Sequence, residues 1–103
     1  MYSLRYLSTA LRDMWEITSY FRVTLNNPAF AEQLLTEFEE AGNRIPAFPY
    51  ANPVFMSVTP KQHQYRTLLV RNYLMFYWID EDRERVNIVH VIDARGEYER
   101  RLT

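Results

Sequence analysis

The sequence predicts an α+β fold: an N-terminal strand, an antiparallel two-helix hairpin, a three-stranded antiparallel meander packed on the helices, and a short C-terminal tail. Three observations predict it. Apolar residues recur at helical spacing in two runs between Ala10 and Ile45; an Asn27-Pro28 pair divides those runs; and the stretch YRTLLVRNYLMFYWID (residues 65–80) alternates about a break at Arg71-Asn72. At 103 residues, the chain is expected to form a single domain over 1–103.

Tyr2-Ser-Leu-Arg-Tyr-Leu alternates and reads as the first strand, ended by Ser8-Thr9, either of which can cap a helix. Ala10, Met14, Ile17, Phe21 and Leu25 then mark one helical stripe, with Arg12, Asp13, Glu16 and Arg22 read as lying off it in solvent. Asn27 is a good cap, Pro28 fits a first helical position, and Ala31, Leu34, Leu35, Phe38, Ala41 and Ile45 mark the second helix. The short connection makes the pair antiparallel. Gly42 weakens that helix near its end, and Pro46, Pro49, Pro53 and Pro60 keep 47–62 irregular, a long loop for so small a domain.

If Arg71-Asn72 is a two-residue turn with Asn72 at positive φ, Val70 faces Tyr73 and Arg66 faces Tyr77. One face of the hairpin then carries Arg66, Leu68, Val70, Tyr73, Met75, Tyr77 and Ile79; the other carries Tyr65, Thr67, Leu69, Leu74, Phe76 and Trp78. The second face is the more uniformly apolar and is expected to receive the helices, which leaves the first to a partner. Residues 80–85 connect to a last strand, Val86 to Ile92, in which His90 reads as a hydrogen-bonded core histidine. Trp15, Trp78 and the phenylalanines read as core.

Composition narrows the function. With no cysteine and two histidines, there is no disulfide framework, thiolate zinc site or thiol nucleophile, and no metal or cofactor is expected. MYSLRYL reads as a mature start without a leader, no window is long and apolar enough for a membrane span, and a reducing, cytoplasmic setting is expected. Net charge is −1, but eleven of the twelve cations are Arg, the side chain suited to bidentate anion contacts. Any phosphate site must therefore be a local cluster.

The order of elements, the Asn-Pro restart, the Tyr-Arg, Asn-Tyr, Phe-Tyr and Ile-Asp pairs of the hairpin and the closing VIDARGEY together resemble the RelE/ParE superfamily, toxins of bacterial type II toxin–antitoxin modules. The resemblance implies a growth-arresting toxin. In that superfamily some members are ribosome-dependent messenger-RNA endonucleases and others are poisons of DNA gyrase. On the first reading the partners are the ribosome and mRNA, and on the alternative DNA gyrase; both include a cognate antitoxin and neither a membrane. A non-toxic, antitoxin-binding member is a further alternative.

For an RNase the resemblance assigns catalysis to Arg66, Arg95 and Tyr98, because attack of a ribose 2′-hydroxyl on phosphorus needs cations for the developing charge and groups that move protons. It leaves Lys61, His63, Arg100 and Arg101 as substrate contacts, and Tyr73, Met75 and Tyr77 as the antitoxin-binding surface. The chain also departs from that pattern. Leu68 and Tyr73 stand where RelE-type enzymes carry a lysine and an arginine, Asp93 where they carry His or Tyr, and Gly96 where they carry Arg.

Overall fold

A computed structural model describes residues 1–102. Strand β1 (Ser3–Tyr6), helix α1 (Ser8–Ser19), helix α2 (Pro28–Arg44) and strands β2 (Arg66–Val70), β3 (Tyr73–Asp80) and β4 (Arg85–Asp93) follow in order, with a 3-10 turn Glu99–Arg101 in the tail. The sheet has the spatial order β1-β4-β3-β2, with β1 parallel to β4 and the other pairs antiparallel. The hairpin register is the one alternation predicts, Val70 opposite Tyr73 and Arg66 opposite Tyr77.

Asn27 caps α2, its side chain accepting from the Phe30 N–H at 3.2 Å, and Pro28 takes the first helical position. The start of α1 differs from expectation. Leu7 is its cap residue and no side chain caps it; the Thr9 hydroxyl instead donates to the Val89 carbonyl at 2.5 Å. At its far end α1 widens into a π-helical turn, Tyr20–Thr24, closed by the Asn27 N–H on the Phe21 carbonyl and by Asn26 at φ 48°. That extra residue rotates the stripe, so Leu25 is exposed rather than buried.

The two sheet faces are the reverse of the expectation. The helices pack on the face carrying Val70, Tyr73, Met75 and Tyr77, where Ala10 and Met14 of α1 and Leu34, Phe38 and Ala41 of α2 meet Val86, Ile88 and Val91. Met75 and Tyr77 have no exposed surface, and Tyr73 little. They are core and offer no antitoxin-binding surface. A fully buried side chain of this kind contributes about 1.5–3 kcal/mol. Tyr77 can be core because its phenol donates to the Pro49 carbonyl at 2.7 Å and accepts from Asn52 at 3.2 Å, so its polar tip is satisfied.

The opposite face is covered too, by the long loop and the tail. Tyr65, Phe76, Ile92 and Leu102 are buried there, with Phe55, Leu74, Trp78 and Tyr98 packed against them. Between Phe76 and Tyr77 the register slips: Phe76 pairs His90 and Tyr77 pairs Ile88, leaving Val89 as the bulged residue. The bulge changes the parity of β4, so Val86, Ile88 and Val91 all reach the helix side.

Two contacts tie the hairpin and β1 to α2. Positive φ falls on Arg71 (54°) rather than Asn72; its guanidinium forks onto Glu37 at 2.7 and 2.8 Å and lies 5.0 Å over the Phe30 ring. Gly42 sits where α2 crosses β1: a Cβ there would lie 2.2 Å from the Tyr6 hydroxyl, a buried group that bonds nothing among the described residues.

Candidate functional site

Where β1 ends, the outer edge of β4 is left to α1. Asp13 reaches it: Oδ2 accepts from the Val91 N–H at 3.0 Å and meets His90 Nδ1 at 2.8 Å, while Oδ1 accepts from Arg101 of the tail. Burial pushes the Asp13 carboxyl up, but the bonds from His90, Val91 and Arg101 outweigh it and hold the group below its ordinary value. Asp13 was expected in solvent. It lies three residues after Ala10 and four before Ile17, inside the stripe, and that spacing was the available signal.

Arg101 is thus committed to an internal carboxylate, and so are most of the predicted anion-binding residues. Lys61 donates to the Glu99 and Leu102 carbonyls at 2.8 and 3.3 Å and pairs the Glu99 carboxylate at 3.2 Å, pinning the loop to the tail. The Glu99 carboxyl lies low because it accepts the Val58 N–H, with help from Ser57 and Lys61. Arg100 pairs with Glu97 at 2.8 Å in solvent. Arg95 folds back on Asp93, Nε to Oδ1 at 3.1 Å and Nη2 to Oδ2 at 2.9 Å, with its own N–H on Oδ1 at 2.8 Å. Those bonds lower the Asp93 carboxyl to about 2, so it stays ionised and is no proton acceptor for chemistry near neutrality.

Arg95, Asp93 and Arg101 line a cleft of about 590 Å³ with Tyr20, Phe21 and Tyr73. Tyr98 packs edge-on against Phe55, with ring centres 5.7 Å apart, in the cluster on the sheet's other face. Arg66 lies elsewhere again. Its Nη1 donates to the Tyr50 and Asn52 carbonyls at 3.1 and 2.7 Å, and its guanidinium stands 5.0 Å over the Tyr50 ring, so it holds the start of the long loop. Arg66 pairs Tyr77 and Arg95 follows Asp93, which pairs Tyr73; Tyr73 and Tyr77 are roughly 13 Å apart along the strand. Arg66, Arg95 and Tyr98 are therefore not brought together.

A second cleft, about 390 Å³, is lined by Tyr50, Gln62, His63, Gln64, Arg66, Trp78, Ile79 and Glu81. His63 lies flat on Trp78, with ring centres 3.6 Å apart at 5°. Burial lowers the His63 pKa, with Asp80 opposing, so the ring is neutral near pH 7. Hydrogen bonds from Tyr2 and Tyr50 hold the Glu81 carboxyl low and ionised. Tyr50 and Glu81 were not anticipated, since no spacing links a loop residue to a turn. Along α1 and its π turn, Leu11, Trp15, Tyr20, Val23 and Leu25 are all at least half exposed, Tyr20 at the rim of the first cleft; Trp15, expected in the core, is 65% exposed. Among the described residues no helix is long and apolar enough to cross a membrane.

Residues 4–98 match the family model of the ParE toxin of the type II toxin–antitoxin system parDE, and the chain belongs to that family. The fold is shared with a chain of the chromosomal ParDE system from P. aeruginosa, at 18% identity and TM-score 0.73 over 90% of this chain and 96% of that one. It is also shared with a chain of the RelBE2 toxin–antitoxin complex from Mycobacterium tuberculosis (18% identity, TM-score 0.63, 89% and 96% covered). The isolated E. coli RelE toxin is a further match (17% identity, TM-score 0.56, 98% and 94% covered). No curated protein matches.

Proposed function

We propose that this toxin arrests growth by binding and trapping its target, DNA gyrase, without cleaving RNA. The observation that carries the reading is the dispersal of the residues an RNase would need. Arg95 is neutralised by Asp93, Tyr98 is packed among aromatic rings, and Arg66 holds backbone carbonyls in a different cleft. In the cleft that brings Glu81, His63 and Arg66 together, Glu81 and His63 are both unprotonated near neutrality, so neither is an acid for the leaving 5′-oxygen.

A cognate antitoxin is the second partner. Its contact, in this reading, is the exposed apolar run Leu11, Trp15, Tyr20, Val23 and Leu25, in place of Tyr73, Met75 and Tyr77. A protruding Trp is the kind of anchor on which interface energy concentrates.

Induced expression without antitoxin tests the proposal, with message integrity read by primer extension and plasmid topology followed in the same cells. Intact messages with altered supercoiling or broken DNA are expected, and arrest should survive Arg95→Ala and Tyr98→Ala. Codon-phased cuts that vanish in those variants would refute it.

A further inference from the structure

We propose that the cleft between the long loop and β3 binds a nucleobase, guanine best, presented by a single strand or by a free nucleotide. The proposal is independent of which target the toxin arrests. The cleft has about 390 Å³, within the range of small-ligand pockets, and its lining supplies the two things a base requires. The first is a platform. The His63 and Trp78 rings are parallel to within 5° with centres 3.6 Å apart, and both line the cleft, so an entering ring extends an existing stack.

The second is a reading edge. Arg66 spends only Nη1 on the Tyr50 and Asn52 carbonyls; its Nε and Nη2 bond nothing among the described residues. Glu81 accepts from two phenols and keeps acceptor capacity, since a carboxylate offers about four lone-pair sites. Guanine is the base whose edge answers both: O6 and N7 accept from a guanidinium, while N1–H and the N2 amine donate to a carboxylate. Adenine and the pyrimidines meet at least one of the two groups through a single atom, so guanine alone pairs both of them bidentately. The charges of Arg66 and Glu81 cancel, so the cleft selects the base and has no excess positive charge for a phosphate. Among the described residues its lining holds no glycine and no lysine, in keeping with a site read by stacking.

The test uses the full chain carrying Trp15→Phe, which leaves Trp78 as the emitting indole, titrated with GMP and with an oligothymidine containing one central guanine. Saturable quenching by the guanine probes is expected, with plain oligothymidine at least tenfold weaker. His63→Ala should weaken binding about tenfold or more, the range lost with one base–aromatic stack. His63→Phe, which keeps the platform, should bind. Oligonucleotide binding tenfold tighter than GMP assigns the site to a strand, and equal affinity assigns it to a free nucleotide. No saturable quenching by either probe at millimolar concentration overturns the proposal, as does undiminished binding by His63→Ala. Glu81→Gln keeps the test open if His63→Ala fails to fold: a guanine preference that survives it also overturns the proposal.

Discussion

Gly42 and Tyr6 form a pair whose energetics can be worked from geometry. In an ordinary helix interior Gly→Ala stabilises by about 1 kcal/mol. Here the new Cβ would stand 2.2 Å from the Tyr6 hydroxyl, a separation that cannot persist, and Tyr6 is a ring on a strand with little freedom to swing aside. Overpacking of this kind costs about 1–3 kcal/mol, so Gly42→Ala should destabilise by about 1–2 kcal/mol net. Tyr6→Phe removes the clashing atom, and with it a buried hydroxyl that bonds nothing among the described residues; it should stabilise by about 1 kcal/mol. In the Phe background the remaining close contacts are the ring carbon at 3.1 Å and Ile88 Cδ1 at 3.2 Å, which yield to shifts of a few tenths of an ångström. Gly42→Ala should then be close to neutral. Urea denaturation of the four proteins in the cycle measures the coupling, expected at about 1–2 kcal/mol in favour of the double variant. Equal cost of Gly42→Ala in both backgrounds would refute the reasoning.

The clasp on α1 and the patch beside it give three further predictions. Asp13→Asn leaves Arg101 without its carboxylate and should cost about 3 kcal/mol, the low end for a broken buried pair because Arg101 is partly exposed; a loss under about 1 kcal/mol by urea denaturation would count against the clasp. Asp13 and Asp93 both have lowered pKa values, Asp93 to about 2, so below about 4 the unfolded chain binds more protons than the folded one. Their stabilisation is present above about pH 4 and disappears toward pH 2, and Asp13→Asn should flatten that acid limb in a stability–pH series. Trp15→Ala should change folding stability by no more than about 0.5 kcal/mol yet weaken the antitoxin complex by more than about 1 kcal/mol in a calorimetric titration.

Much of the fold was legible because short-range rules govern it. The Asn27-Pro28 restart and the register set by the Arg71-Asn72 turn depend on neighbours a few residues apart, and both stand as the residues indicate. Which hairpin face meets the helices does not follow from alternation when both faces are apolar. The deciding elements were the loop and tail, whose Phe55, Tyr98 and Leu102 cover the second face without any periodicity to announce them. The site was less legible for a related reason. Sequence shows that Arg95, Lys61 and Arg101 are cations, but Asp93, Glu99 and Asp13 become their partners through a turn, a loop and a strand edge. Only the Arg95–Asp93 pair is close in sequence. The His63–Trp78 stack and Glu81 are joined across elements that no spacing relates.

The parallel pairing of β1 with β4 also constrains the order in which the molecule can assemble. Ser3 bonds in register with Arg85, and Tyr6 with Ile88; nothing between them in the chain offers β1 another ladder. The helical hairpin and the β2–β3–β4 meander close over short loops, whereas β1 must wait for a ring that spans most of the sequence. Loop closure thus predicts that the first strand docks late, with the outer edge of β4 until then an unpaired template for another chain. Gly42 lies under Tyr6 at that junction, so β1 lands on α2 where the absence of a Cβ leaves room for the Tyr6 ring.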